Sequence, residues 1–415
     1  MKLIPKAKPV RIRISAGGQE HTSLDTLLEN FDIESLLPLY INGSLSRWLN
    51  QIGAFDIADK LSKLQISDFD NITDDELESF VKAFFNNEIS TVAREIAHSY
   101  ESSENGEQIV RWHQIAYKYG NIESCSELGR IYKYGLFGVR QWHSKAIEYY
   151  KIAAENGDAE AQYSLAYYYS EGVHVEQSTS EATSLLEKAA KSGLVRSYLA
   201  LAFVLYSQER YEEARKWCEL AIDNGEELDI DNLEFIADLY YNIEGCEKQC
   251  YEYYLQAAKQ GSTHSQKMIG HHYASGCFVK EDLNQAFYWY KKAADKGDAE
   301  GQYYVSRCYF WGYGVTEDNN SAMKWAKMAI EQNYIRAKVI LALCKGEQGA
   351  YDTAFKLLTD AAEAGYGEAQ YYLGLLYECG EWGRKSINTA ISWYKKAAEK
   401  GDSDAIEKLK ELGVE

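Results

Sequence analysis

A block of about 36 residues recurs along most of this chain, and this repetition constrains the fold more than any other feature. The clearest copies run from 146 to 162, from 286 to 302 and from 390 to 405. Weaker copies fill the gaps. The nine copies begin at Ile109, Ala146, Ala182, Ala214, Cys250, Ala286, Ala322, Ala354 and Ala390. A repeat of this length is one supersecondary unit, which buries a core only by stacking on its neighbours.

Each copy contains the signals of two helices. Positions are counted from the first residue of each copy, which is position 0. Small or large apolar residues at positions 0, +3/+4 and +7/+8 form one stripe, which is typical of an amphipathic helix. Position +11 is glycine in eight copies and Asn333 in the ninth. Glycine, and after it asparagine, suits the left-handed residue just beyond a helix end. In most long copies a second helix is predicted to end at a glycine at +26, namely Gly135, Gly172, Gly276, Gly312 and Gly380.

Proline usage agrees with a helical body. The chain has only 3 prolines, Pro5, Pro9 and Pro38, all near the N-terminus. Because proline costs about 3 kcal/mol in a helix interior, its absence from the following 377 residues favours an all-α fold.

The pattern A-x-x-[WY]-Y-x-x-A-A-x-x-G-x-x-x-A-Q resembles the Sel-one-like repeat family, which is related to the tetratricopeptide repeats. The resemblance covers residues 107–415, although the copies at Ala182, Ala214 and Ala322 depart from the pattern. It implies a right-handed α/α superhelical solenoid of about nine helix pairs. It also implies a scaffold or adaptor that binds other proteins, without catalytic residues.

The first hundred residues do not repeat, and we assign them to no family. We expect an α-rich headpiece at 1–66, linking or capping helices at 67–106, and the solenoid at 107–415. Val10–Ser15 alternates apolar and basic residues, which favours an edge strand, and Ala16–Gly18 either turns it into a hairpin or ends it. Thr73 and Glu76 have the spacing of a capping box.

Charge excludes some partners. The formal net charge is −19, which repels phosphate backbones, so we expect no nucleic acid on the acidic solenoid. No stretch approaches the roughly 18 apolar residues of a membrane span. The N-terminus lacks the apolar segment of a secretory signal, and the 8 cysteines show no paired spacing. We therefore predict a cytoplasmic protein with reduced thiols and no membrane partner.

One stretch of 32 residues is rich in cysteine and histidine: Cys246, Cys250, His264, His271, His272 and Cys277. These are zinc-ligand types. However, Cys250 occupies a core position of the repeat, and the adjacent His271 and His272 point apart on a helix. We favour packing and surface roles over a structural zinc site, and predict no cofactor.

Other chemistry is weakly signalled. No phosphate-binding, dinucleotide, zinc-protease or serine-hydrolase motif occurs. Asp68–Asp74 faintly resembles a calcium loop but lacks the glycine at its sixth position. We predict no catalytic residue and a protein that is not an enzyme.

The sequence therefore predicts a non-enzymatic scaffold that presents a concave helical groove to a protein or peptide. The candidate contacts at +4 are exposed tyrosines beside the core stripe, unless +4 is itself inter-helix core. Arg11 and Arg13 are candidates in the headpiece. The +4 tyrosines are Tyr150, Tyr254, Tyr290 and Tyr394. Two alternatives stay open: a subunit of a bacterial regulatory or defence complex, with ligand-sensing repeats and an effector-binding headpiece, and an enzyme with its site in the headpiece.

Overall fold

The computed structural model describes residues 14–16, 19–21, 27–28, 31–66, 72–85, 88–103, 105–380 and 385–414. These residues form two short strands, 23 α-helices and two 3₁₀ turns. The chain divides into two compact units, Met1–Val204 and Leu205–Glu415.

The first unit begins with a β-hairpin and five helices. Strand β1 (Ile14–Ala16) pairs antiparallel with β2 (Gln19–His21), so the hairpin that the sequence allowed after Ala16 is present. The helices are α1 (Ile33–Ile41), α2 (Ser44–Ile52), α3 (Phe55–Ser62), α4 (Asp74–Phe85) and α5 (Ile89–Ser99). A 3₁₀ turn, Glu101–Ser103, follows α5.

The predicted capping box starts α4. The backbone N–H of Thr73 donates to Glu76 Oε2 over 2.9 Å, and the backbone N–H of Glu76 faces Thr73 Oγ1 at 3.3 Å. Two amide groups that have no partner inside the helix are thereby satisfied.

Nine helix pairs follow, which confirms the all-α repeat fold. We call them repeats 1 to 9, and each predicted start lies in the first helix of its pair. The first unit holds α6 (Gly106–Lys118) with α7 (Glu123–Tyr134), α8 (His143–Glu155) with α9 (Ala159–Glu171), and α10 (Thr179–Lys191) with α11 (Arg196–Ser207), within which the unit boundary falls. The second holds α12 (Tyr211–Asp223) with α13 (Ile230–Tyr241), α14 (Glu247–Gln260) with α15 (Thr263–Ser275), α16 (Leu283–Asp295) with α17 (Ala299–Trp311), α18 (Asn319–Glu331) with α19 (Ala337–Glu347), α20 (Tyr351–Glu363) with α21 (Gly367–Cys379), and α22 (Ile387–Glu399) with α23 (Ser403–Glu411).

The predicted helix ends are confirmed by the backbone. All nine residues at +11 have positive φ, from 64° at Asn333 to 111° at Gly261. A side chain with a Cβ is strained there, which explains why only glycine and asparagine occupy the position.

In three repeats, a buried glutamine forms a hydrogen bond between the two helices of the pair. The Nε2 atoms of Gln162, Gln266 and Gln370 donate to the carbonyls of Ala154, Ala258 and Ala362, over 2.9 to 3.2 Å. Each bond joins the start of the second helix to the end of the first, so the A-Q pair of the repeat pattern has a structural cause.

The helices before the repeats share a core with repeat 1. One hydrophobic cluster runs from Leu27 to Ala116 and contains Trp48, Phe80 and Trp112. The domain divisions at 66 and 106 stay predictions. Among the described residues, no helix combines the length and the apolar character needed to cross a lipid bilayer.

Candidate functional site

The four predicted contact tyrosines are buried. Relative exposure is 3% for Tyr150, 2% for Tyr254, 5% for Tyr290 and 0% for Tyr394. The expectation that these positions are exposed is therefore wrong, and the alternative of an inter-helix core describes them.

For three of the four tyrosines, a glycine on the preceding repeat explains this burial. A Cβ added to Gly129 would lie 2.6 Å from the ring of Tyr150, and one added to Gly374 would lie 2.5 Å from Tyr394. Gly270 faces Tyr290 in the same way. All three glycines lie at position +20 of their repeats, so each ring fills the space left by a missing side chain in the neighbouring repeat.

Two other sequence predictions fall outside the described residues. These are the candidate contacts Arg11 and Arg13, and the Asp68 and Asp70 positions of the weak calcium-loop pattern. They stay predictions.

The cysteine- and histidine-rich stretch does not form a set of three converging ligands. Residues 246–277 are all described, and no three of their cysteine, histidine or acidic side chains place ligand atoms close enough together to share one ion. His271 Nδ1 is hydrogen-bonded to the Tyr290 hydroxyl at 2.9 Å, whereas His272 Nδ1 donates to the carbonyl of Cys277 at 3.2 Å. The two histidines thus serve different contacts, as expected for adjacent helix positions.

A cavity of about 610 Å³ lies between helices α15, α16 and α17 of repeats 5 and 6. Its aromatic wall is a stacked pair, Tyr290 and Tyr304, with ring centroids 4.8 Å apart. The ring of His271 meets Tyr304 edge-on at 4.6 Å. The lining also includes Arg307, Cys308, Leu283, Ala286, Ala274, Glu281 and Tyr313. This volume lies in the range of ligand and side-chain pockets, roughly 300 to 1,000 Å³.

Arg307 is the cationic residue of this cavity, and it has no carboxylate partner among the described residues. Its Nε is buried without a hydrogen-bond partner. The guanidinium lies over two rings instead, 5.1 Å from the centroid of Trp311 and 5.7 Å from that of Tyr303. The nearby acid Glu368 is already engaged, because it accepts from the Tyr303 hydroxyl over 2.9 Å and lies 3.5 Å from Arg336.

The local electrostatics keep Arg307 charged and keep the His271 imidazole and the Cys308 thiol neutral. Burial opposes the charge of Arg307, but Tyr303 and Glu368 outweigh it and raise the pKa of the guanidinium. Burial lowers the pKa of His271 and raises the pKa of Cys308 to about 12. At neutral pH the cavity therefore holds the half-buried positive charge of Arg307 beside a neutral imidazole and a neutral thiol, and its lining also includes the carboxylate of Glu281.

The first unit has a larger groove of about 1250 Å³, lined by α1, the start of α4, α6 and residues 137–139. Its arginine is already satisfied. Arg111 pairs with Asp74 and donates to the carbonyl of Ile72 over 2.9 Å. Because this charge is used internally, the groove offers less to an incoming anion than the cavity of repeats 5 and 6.

Sequence reasoning missed Arg307. It occupies position +21, which varies among the repeats and so escapes a search for repeated residues. A signal was present, because an arginine at +21 without an acid three or four residues away lacks a helical ion-pair partner.

The fold and this site define a helical-repeat protein built from consecutive helix pairs. The sequence profile of the Sel1 repeat matches residues 122–158, 159–194, 197–226, 247–262, 263–298, 299–334 and 367–402, more than half of the chain. The chain belongs to the Sel1 repeat family. The unmatched segment 227–246 lies in the irregular copy at Ala214, and 335–366 runs from the irregular copy at Ala322 into the first helix of the copy at Ala354.

Curated relatives are fungal. The chain is 24% identical over 310 residues to chitin synthase regulatory factor 3 of Schizosaccharomyces pombe, covering 70% of this chain and 29% of that protein. It is 30% identical over 117 residues to chitin synthase regulator SKT5 of Malassezia restricta, covering 27% of this chain and 8% of that protein. The chain thus spans less than a third of the length of either relative.

A solved structure supports the fold. A protective antigen of uropathogenic Escherichia coli strains, with an SLR fold, superposes with a TM-score of 0.64 at 23% identity, covering 94% of this chain and 83% of that one. At this identity the similarity concerns the fold alone.

Proposed function

We propose that this chain is a non-enzymatic adaptor that holds an acidic segment of a partner protein in the cavity of repeats 5 and 6. Arg307 would receive a carboxylate of that segment, and Tyr290 and Tyr304 would form the wall beside it. The observation that carries the proposal is the half-buried Arg307, whose Nε has no hydrogen-bond partner in the part of the chain that the structure describes.

The physical argument concerns desolvation. A buried donor without a partner costs about 1–3 kcal/mol, and the folded chain bears that cost here. A partner carboxylate would satisfy the donor with a charge-assisted hydrogen bond, which is about twice as strong as a neutral one. Arginine and tyrosine in packed pockets are also the residue types that dominate binding energy at protein interfaces.

Two further observations support an adaptor. The printed names of both curated relatives describe regulation of another enzyme, chitin synthase, which agrees with a protein that acts through a partner. Repeat architectures present preformed surfaces, and preforming limits the ordering entropy of binding. The eight cysteines are free thiols, so we extend the proposal to a cytoplasmic location.

A displayed library of random peptides, selected on the full-length protein, tests the proposal. Enriched peptides should carry Asp or Glu next to an apolar residue. In a direct anisotropy titration, the Arg307→Gln variant should bind the selected peptide at least about tenfold more weakly than the wild type does, which corresponds to roughly 1.4 kcal/mol of binding free energy.

The matched control is Arg130→Gln, since Arg130 occupies the same +21 position in repeat 1 and pairs with Glu127 at 2.7 Å. Its peptide affinity should equal that of the wild type. Selected peptides without acids, or equal affinity in Arg307→Gln, would contradict the proposal. Binding of a small anionic molecule at Arg307, and of no peptide, would instead favour the ligand-sensing alternative.

A further inference from the structure

Three potential metal ligands meet at the junction between the headpiece helices and repeat 1. They are His98 near the end of α5, Glu101 in the 3₁₀ turn and His113 in α6. One ligand atom from each lies within 4.8 Å of the others. Among the described residues, no other three histidine, cysteine or acidic side chains place their ligand atoms this close together.

The hydrogen bonds around His113 determine which of its nitrogens carries the proton. The backbone N–H of Ser124 donates to Asn121 Oδ1 over 2.9 Å, so this amide oxygen is an acceptor. The Ser124 hydroxyl donates to the same oxygen over 3.0 Å. Ser124 Oγ must then accept from the His113 Nδ1–H, 3.2 Å away, and the proton of the neutral ring is on Nδ1.

His113 Nε2 is consequently a free lone pair inside the protein. The His113 side chain is fully buried, with 0% exposure, and its Nε2 has no hydrogen-bond partner among the residues that the structure describes. The ring of His98 lies edge-on to it, with centroids 5.4 Å apart.

We propose that His98, Glu101 and His113 bind one zinc ion through two imidazole nitrogens and one carboxylate oxygen. Ligand atoms in a tetrahedral zinc site lie roughly 3.4 Å apart, from bonds of about 2.1 Å. His98 Nδ1 and Glu101 Oε1 already lie 2.8 Å apart, and the three ligand atoms lie within 4.8 Å of one another. Shifts of up to about 1.4 Å therefore bring them to the zinc spacing. His98 and Glu101 are 40% and 34% exposed, so rotation of these two side chains supplies the movement while His113 stays in place.

The surrounding charges permit a cation. The two nearest arginines that act on His113 are each paired with an acid, Arg94 with Glu123 and Arg130 with Glu127. Ser124 has the position of a partner that orients a metal-binding histidine through its second nitrogen. A bound zinc ion would join the end of α5 to α6 and stiffen the junction.

The test uses the full-length, tag-free protein after removal of metals with a chelator. A competition titration of Zn²⁺ against a chromophoric chelator should show one tight site. Both His113→Gln and Glu101→Gln should weaken it at least about a hundredfold, and Ser124→Ala should weaken it roughly tenfold, as for other orienting partners. Co²⁺ should give visible absorption bands that these ligand variants lose.

Two controls keep the result interpretable. His272→Gln changes another buried histidine, whose Nδ1 faces a backbone carbonyl, and should leave zinc affinity unchanged. Glu101 is partly exposed, so Glu101→Gln tests the ligand set even if His113→Gln does not fold. The proposal would be overturned if no tight site is found, or if Glu101→Gln and His98→Gln bind zinc as tightly as the wild-type protein does. Zinc that is lost only with Cys246→Ser would also overturn it.

Discussion

Repeats 1 and 6 carry an arginine at the same register position, and the two arginines have different surroundings. Arg130 in repeat 1 pairs with Glu127, three residues before it, with Nε and Nη2 at 2.9 and 2.7 Å from the carboxylate. In repeat 6 the residue three before Arg307 is Tyr304, and among the described residues the guanidinium lies over the rings of Tyr303 and Trp311 and pairs with no carboxylate. Within otherwise similar helices, one substitution decides whether the charge is satisfied internally.

This difference separates the parts of the repeat that maintain the fold from those available for binding. In repeats 2, 6 and 9 the tyrosine at +4 packs against a glycine at +20 of the preceding repeat, so these positions maintain the packing between repeats. Positions +18 and +21 lie beside that packing and tolerate several residue types. Binding specificity in such a protein can therefore reside in the variable positions next to the core.

The largest expected effect concerns the packing that the two regions share. Gly129→Ala and Gly270→Ala would each push a Cβ into a tyrosine ring, and overpacking costs about 1–3 kcal/mol. Alanine has a higher helix propensity than glycine, which offsets up to about 1 kcal/mol of this cost. We therefore expect the free energy of unfolding to fall by about 1–2 kcal/mol. Urea unfolding measures it.

The control for this pair is Gly367→Ala, where the added Cβ meets only ordinary contacts at 3.4 Å or more. Its stability should equal or exceed that of the wild type. If all three variants were equally stable, the ring-on-glycine explanation would fail.

The next effect tests the comparison directly. Tyr304→Glu reproduces the repeat 1 spacing in repeat 6, so the new carboxylate should pair with Arg307 and occupy the anion site. Affinity for a selected acidic peptide should fall roughly tenfold, or about 1.4 kcal/mol. Tyr304→Phe keeps the ring and should bind nearly as the wild type does. Equal affinity of the Glu and wild-type proteins would break the comparison.

Replacing each arginine by methionine should change stability in opposite directions. Arg307→Met removes a buried donor that has no hydrogen-bond partner among the described residues, which relieves a cost of about 1–3 kcal/mol, and it loses ring contacts worth about 0.5–2 kcal/mol. We expect a gain of up to about 1 kcal/mol. Arg130→Met loses an exposed helical ion pair and should cost less than about 0.5 kcal/mol. Loss of stability in Arg307→Met would show that the fold needs the charge.

The smallest effect is a pH dependence at His271, which occupies the +21 position of repeat 5. Burial lowers its pKa below the ordinary 6.5, against the opposing charge of Glu300 and with His272, Lys267 and Arg307 in support. Below about pH 6.5 the unfolded chain binds a proton that the folded chain does not, so the free energy of unfolding falls as pH falls.

Urea unfolding between pH 7.5 and 5 should show a shallower pH slope in His271→Gln than in the wild type. His174→Gln, which changes an exposed histidine, is the control and should keep the wild-type slope. Equal slopes in His271→Gln and the wild type would mean that His271 is protonated in the folded protein.

Much of the fold could be predicted, because repeated local signals carry it. The nine starts, the glycines and Asn333 at +11, and the Thr73–Glu76 capping box each depend on residues a few positions apart. Such contacts are set by helix periodicity and backbone strain, which sequence spacing reports directly.

The sites were predicted less well, for a physical reason that the two histidine-containing regions illustrate. The stretch 246–277 is dense in ligand types, yet helix geometry and repeat packing give its histidines separate partners. His98 and His113 are separated in sequence by a turn, and the packing of α5 on α6 brings them together. A high density of potential ligands along the sequence therefore did not indicate which of them lie close together in the folded protein.

The sequence by itself determined the repeat family, the number of helix pairs and where each helix ends, because these follow from local periodicity and from glycine's backbone freedom. Only the tertiary structure decided that the +4 tyrosines are buried. It also decided that, among the described residues, Arg307 pairs with no acid and His113 Nε2 has no hydrogen-bond partner. Those properties depend on which neighbours the packing places around a side chain, and identical repeat positions can receive different neighbours.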